Sequence, residues 1–169
     1  EEREAFLADL HVGILSVAFI GWSIYGAIVP VETYLFRMVH LGFILLLAFL
    51  MFPYSNKAPE GSKWLDLFLG LLGVATIAWA MTDTDAFIRR STLPDLTDVI
   101  MGIIAIVLML EVSRRTAGNV FTAVVAFFLL YTLYGNYFPS ILSHKGYEVN
   151  RTIGHMYMTL EGLLGVPLE

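Results

Sequence analysis

Apolar residues in this chain come in long runs, and the charges gather in short gaps between them. Positions 99–110 carry no charge, and neither do 121–138. Between them stands a polar knuckle, Glu111-Val112-Ser113-Arg114-Arg115-Thr116-Ala117-Gly118. On a helix Glu111 sits three and four residues before Arg114 and Arg115, so its carboxylate lies beside both guanidinium groups on one face. Gly118 follows as a place where the helix stops and the chain turns. The same alternation runs through the whole sequence and predicts spans at 12–29, 34–52, 64–81, 96–112 and 121–138, with prolines at Pro30, Pro53 and Pro139 just past three of them. A hydrocarbon layer about 30 Å thick needs about 20 helical residues, and a charge at its centre costs at least about 2.5–3.5 kcal/mol. The pattern predicts an all-α integral membrane protein of about five transmembrane helices.

The gaps and the span ends carry the detail. Residues 1–11 are polar and helix-forming, with Phe6, Leu7 and Leu10 on one side. In the first span Trp22 is central and should pack inside the bundle, while Ser23 and Ala27 offer a small-residue face. Arg37 and His40 lie one turn apart near the start of the second span. They read either as a buried polar pair in a pathway, or as an arginine snorkelling to the interface beside a histidine hydrogen-bonded in the bundle. A turn-rich loop covers 53–63. Trp64 and Trp79 bracket the third span as interfacial aromatics, Gly70 and Gly73 thin one of its faces, and Asp66 at its mouth is expected in solvent or paired with Lys63. The break at 82–98 reads as a surface turn of helix, with Thr92-Leu93-Pro94-Asp95 as the capping box of the fourth span. Its acids Asp83, Asp85, Asp95 and Asp98 lack calcium-loop spacing and have Arg89 and Arg90 among them. Tyr131, Tyr134 and Tyr137 close the fifth span as an aromatic belt. In the tail, Ile153, Met156, Tyr157, Leu160, Leu163 and Leu164 form an apolar stripe, with Arg151, His155, Thr159 and Glu161 between them. That is an amphipathic helix, lying on the membrane or docked on a partner.

Composition agrees: 57% of residues are hydrophobic, only 15% are charged, and mean hydropathy is +0.73. A net charge of −5 without a basic cluster argues against a nucleic-acid surface. The absence of cysteine excludes disulfides, thiolate metal sites and a cysteine nucleophile. His11, His40, His144 and His155 have no zinc spacing, and no phosphate loop, nucleophile elbow or dinucleotide fingerprint is present. No acid stands at the centre of a span, and no span is broken there by glycine and proline as in secondary transporters. The residues describe a helical scaffold with polar edges, no enzyme and no complete transport path. Positive charges divide evenly between the two sides and leave orientation open.

From Asp95 onward the residues resemble a known family. Asp98-x3-Gly102, Leu110-Glu111-x2-Arg114-Arg115-x2-Gly118 and Tyr131-x3-Gly135-x3-Pro139 are similar to the fused permeases of TRAP (tripartite ATP-independent periplasmic) transporters of TAXI type. So is the tail, His144-x-Gly146 and Arg151-x3-His155-x-Tyr157-x3-Glu161-Gly162-x2-Gly165-x-Pro167. In that family a small membrane segment precedes a large one, which carries the sodium and substrate sites and moves as an elevator. The resemblance implies that 12–112 is the small scaffold segment, 113–139 a connector span, and 140–169 a tail leading toward the large segment. It implies as partners that large segment, a periplasmic TAXI-type substrate-binding protein delivering organic acids, and the lipid bilayer. Sodium is implied for the full transporter and is not expected on this chain, which needs no cofactor. The N-terminus would be cytoplasmic, in a bacterial or archaeal inner membrane. Candidate structural and partner-contact residues are Glu111, Arg114, Arg115, Gly118, His155 and Glu161. As exposed ion pairs, those of the knuckle would contribute about 0–1 kcal/mol. Two other classes stand beside this reading: a small subunit of a different tripartite carboxylate transporter, or a free-standing membrane assembly protein.

Overall fold

Long apolar runs in a bilayer can satisfy their backbone groups only within a helix, and helices are what these runs form. The computed structural model describes residues 2–54, 61–139 and 141–165, with no strand among them. α1 is Glu2–Ile28, α2 Thr33–Met51, α3 Gly61–Met81, α4 Thr84–Arg89, α5 Leu96–Thr116, α6 Asn119–Tyr134 and α7 Val149–Met158. Short 3-10 turns cover Arg90–Thr92 and Gly135–Tyr137. Five stretches are long and apolar enough to cross a membrane: Leu10–Ile28, Thr33–Met51, Lys63–Met81, Leu96–Thr116 and Asn119–Tyr137. The chain is an all-α, multi-pass membrane protein. The N-terminal stretch and the first span form one uninterrupted helix. The side chains of Phe6 and Leu7, and most of the 53–63 loop, lie outside the described residues.

The core lies among α2, α3, α5 and the tail. Met38, Leu41, Leu45 and Phe49 of α2 meet Ile77 and Ala80 of α3 and Ala105, Leu108 and Val112 of α5. Gly70 and Gly73 are the thin face the sequence suggests. A Cβ there would stand 3.0 Å from the Leu46 side chain and 3.1 Å from that of Leu45, so α3 lies close against α2. α1 and α6 stand outside this core. No residue of Leu10–Ile28 is buried, and α6 buries none of its own. On α1 the close approach falls at Gly26, where a Cβ would overlap the Phe36 ring, and not at Ser23 and Ala27. Ser23 instead bonds back to its own helix at the Phe19 carbonyl, the usual fate of a serine at mid-helix. Trp22 is half-buried between α1 and α2, stacked on Tyr25 and Phe36.

The tail corrects the sequence reading most. The apolar stripe of α7 folds back onto its own bundle, a target the sequence pattern did not name. Ile153, Gly154, Tyr157 and Met158 are buried there, and Leu163 and Leu164 follow into the core after the helix has ended. Two glycines permit this. A Cβ on Gly102 of α5 would overlap Ile153, and one on Gly154 would overlap the Ser91 carbonyl oxygen. The start of α5 also differs from expectation. Its N-cap is Asp95, with Asp98 as the third helical residue reaching back to the Asp95 N–H at 3.3 Å. Thr92 only closes the preceding 3-10 turn.

Candidate functional site

Antiparallel spans joined by short turns give the bundle two ends, and each holds one charged cluster. At the first end the knuckle is the last two turns of α5, where basic side chains complement the helix C-terminus. Glu111 accepts from Arg114 Nε and Nη2 at 2.8 and 2.7 Å and from Arg115 Nε at 2.7 Å. This is the geometry that i,i+3 and i,i+4 spacing dictates. Ala117 caps α5, and Gly118 turns the chain into α6 at φ 90°, a conformation that favours glycine.

The reach of Arg115 was not foreseen. Its Nη1 donates to Asp66 of α3 at 2.6 Å and to the Phe52 carbonyl at the end of α2 at 3.0 Å. Asp66 also accepts from the Tyr54 N–H at 3.2 Å. Asp66 is therefore neither solvated nor paired with Lys63. The Asp66 and Arg115 side chains are 5% and 4% exposed, against 26% for Glu111 and 38% for Arg114. Among the described residues Arg115 Nη2 has no hydrogen-bond partner, and the guanidinium lies over the Phe49 ring at 4.8 Å, where the aromatic face attracts the cation. Two carboxylates and two guanidinium groups thus form a neutral clasp joining α2, α3 and α5. Its inner pair is buried, so breaking it costs more than the about 0–1 kcal/mol of exposed pairs.

The second end is organised by Asp98, whose side chain is 0% exposed. Arg90 grips it in a fork, Nε at 2.8 Å and Nη2 at 3.1 Å, and Trp79 Nε1 donates at 3.0 Å. Trp79 is thus a hydrogen-bond donor to a buried carboxylate. Asp98 raises the affinity of Arg90 for its proton, through their hydrogen bond first and its charge second. Asp83 caps α4, while Asp95 and Asp98 share Arg90 and the cap of α5. No group of three metal-ligating side chains comes together among the described residues.

The tail docks beside Asp98. The Tyr157 hydroxyl donates to the Thr76 carbonyl of α3, and its ring meets Phe87 edge-on at 5.2 Å. Burial raises the Tyr157 phenol well above its usual value, and the Asp98 charge adds to the effect. Arg37 donates to the Leu164 carbonyl at 3.1 Å, so it anchors the tail and does not pair with His40. His40 packs against Phe19 and Phe36, and its Nδ1 has no hydrogen-bond partner among the described residues. His155 and Glu161 lie 3.7 Å apart, both exposed, on the outer side of the tail. They are far from the knuckle in the chain and share no contact with it. The six candidate residues therefore split between the two ends. Asp66, Asp98, Arg90 and Trp79, none of them among the six candidates, complete the two clusters, Asp66 as the cross-helix partner of Arg115 and Trp79 as that of Asp98. Asp98 alone had a local signal, its place three residues after the Asp95 cap. Comparison with known protein families, with curated proteins and with solved structures finds no match to this chain.

Proposed function

We propose that the chain is the small scaffold segment of a sodium-coupled TRAP transporter of TAXI type, in a bacterial or archaeal inner membrane. In this reading it supports the elevator-type large segment, works with a periplasmic substrate-binding protein that supplies organic acids, and does not transport alone. The observation that carries the reading is the placement of the acids. Asp66, Glu111 and Asp98 stand near span ends, each held by arginine, with Arg115 shared between Asp66 and Glu111. Such a bundle holds helices in place and offers no acid at mid-depth to relay an ion. The sequence motifs behind the resemblance also meet in space. Gly102 packs on Ile153 and Tyr157, and Gly135 packs on His144.

The test is co-expression with a TRAP large membrane segment, followed by affinity purification in detergent. Both should elute together, and Glu111→Ala should lower recovery of the complex while this chain still inserts in the membrane. Recovery of this chain only as a stable homo-oligomer would contradict the proposal and favour a free-standing assembly protein.

A further inference from the structure

Between the 91–94 turn that leads into α5 and the start of α7 the structure holds a cleft of about 590 Å³, with Glu148, Arg151 and His155 on the α7 side. Its depth in the bilayer follows from the chain. The apolar run of α5 begins at Leu96, so the turn before it stands in the headgroup layer, which adds about 5–7 Å to each face of the hydrocarbon. Leu93 and Leu96 beside the cleft are 84% and 76% exposed, an arrangement suited to acyl chains and poorly suited to water. The charges in the cleft are of both signs and uncommitted. Glu148 is the N-cap residue of α7 and Arg151 follows one turn later. Among the described residues neither side chain makes an ion pair or a hydrogen bond, and Glu148 does not cap the helix with its carboxylate. His155 lies 3.7 Å from Glu161 and is engaged there. The hydroxyls of Ser91 and Thr92 line the opposite side and can donate or accept.

The geometry points to a headgroup site for a zwitterionic phospholipid that carries a primary ammonium, of the phosphatidylethanolamine type. The phosphate takes Arg151, whose fork of N–H donors matches two phosphate oxygens. The ammonium donates to the Glu148 carboxylate, and the acyl chains pass over Leu93 and Leu96 into the bilayer. Arginine by itself would accept any phosphate, so the acid one turn away supplies the selection. A headgroup with phosphate and no cation leaves Glu148 unanswered. A trimethylated ammonium brings the charge but has no N–H to donate. A lipid seated here bridges the 91–94 turn and α7, which already meet where Gly154 lies against the Ser91 carbonyl.

The test is native mass spectrometry of the full chain in detergent micelles, titrated with phosphatidylethanolamine or with phosphatidylcholine of matched acyl chains. The first phosphatidylethanolamine should bind about tenfold more tightly than the first phosphatidylcholine, the scale of one hydrogen bond to a charged group. Glu148→Ala should erase that preference. Arg151→Gln should weaken both lipids alike, because both carry the phosphate. The two side chains are exposed and unpaired among the described residues, so these variants keep the fold. Soluble phosphoethanolamine, with the same two charges and no acyl chains, should not displace the lipid at equal concentration. Equal affinity of the unaltered chain for the two lipids would overturn the inference. So would a preference that survives Glu148→Ala, or affinities that Arg151→Gln leaves unchanged. Displacement by phosphoethanolamine would overturn the lipid assignment in favour of a soluble phosphate ester.

Discussion

At one end of the bundle Glu111 takes both arginine partners from its own helix. At the other, Asp98 takes its partners from the Arg90 turn before its helix and from Trp79 on a different helix. Glu111 keeps a solvent-facing edge, and Asp98 has none. The difference is one of dielectric. A half-exposed carboxylate can fall back on water when a partner is lost, whereas a fully enclosed one cannot. The first end tolerates movement in its outer pair and holds firm through Asp66 and Arg115. The second end encloses Asp98 itself and is the seat on which the tail folds.

That contrast orders the effects of substitution. Asp98→Ala should be the most damaging, at about 3–5 kcal/mol, because it removes the enclosed carboxylate that joins Arg90, Trp79 Nε1 and the Asp95 N–H, and leaves Arg90 only its longer contact with exposed Asp95 at 3.3 Å. Unfolding in mixed micelles would measure it, and loss of tail docking should accompany it. Asp66→Ala should cost less, about 1.5–3 kcal/mol, since Arg115 keeps Glu111 and the Phe52 carbonyl. Gly154→Ala should cost about 1–3 kcal/mol by pushing α7 off the Ser91 carbonyl, and proteolysis within 149–165 should report it. Arg114→Ala, at the exposed edge of the clasp, should change stability by only about 0–1 kcal/mol. If Arg114→Ala equalled Asp98→Ala, the two ends would not differ as described.

A pH series sharpens the same comparison. The Tyr157 phenol is raised in the folded protein by burial and by the Asp98 charge. Its contribution to stability is therefore fully present below the ordinary tyrosine range and is lost only as pH rises through the higher folded value. Alkaline titration followed by tyrosinate absorbance should show one tyrosine ionising late, together with release of α7. Tyr157→Phe should abolish that late step, whereas Tyr137→Phe, at an exposed position, should leave it intact.

The five spans were legible because hydropathy over about 20 residues is a direct consequence of bilayer thickness. The Glu111–Arg114–Arg115 contacts and the Gly118 turn were legible because helix geometry alone fixes them. Asp66 was misassigned because a polar residue near a span end looks solvated until tertiary packing encloses it, and the bond from Trp79 to Asp98 had no signal in either local pattern. The tail stripe was visible in Ile153 and Tyr157, but its target was not. What receives it is the space left by Gly102 and beside Gly154, and an absent side chain gives no periodic signal. Arg37 reaches an acceptor that neither reading named, because the Leu164 carbonyl lies in a tail turn that no hydrophobic period announces.

The most direct test of the scaffold account is sodium-driven organic-acid uptake in proteoliposomes. This chain alone should give no uptake above empty vesicles, and adding the large membrane segment with its substrate-binding protein should restore it. Uptake by this chain alone, driven by a sodium gradient, would contradict the account.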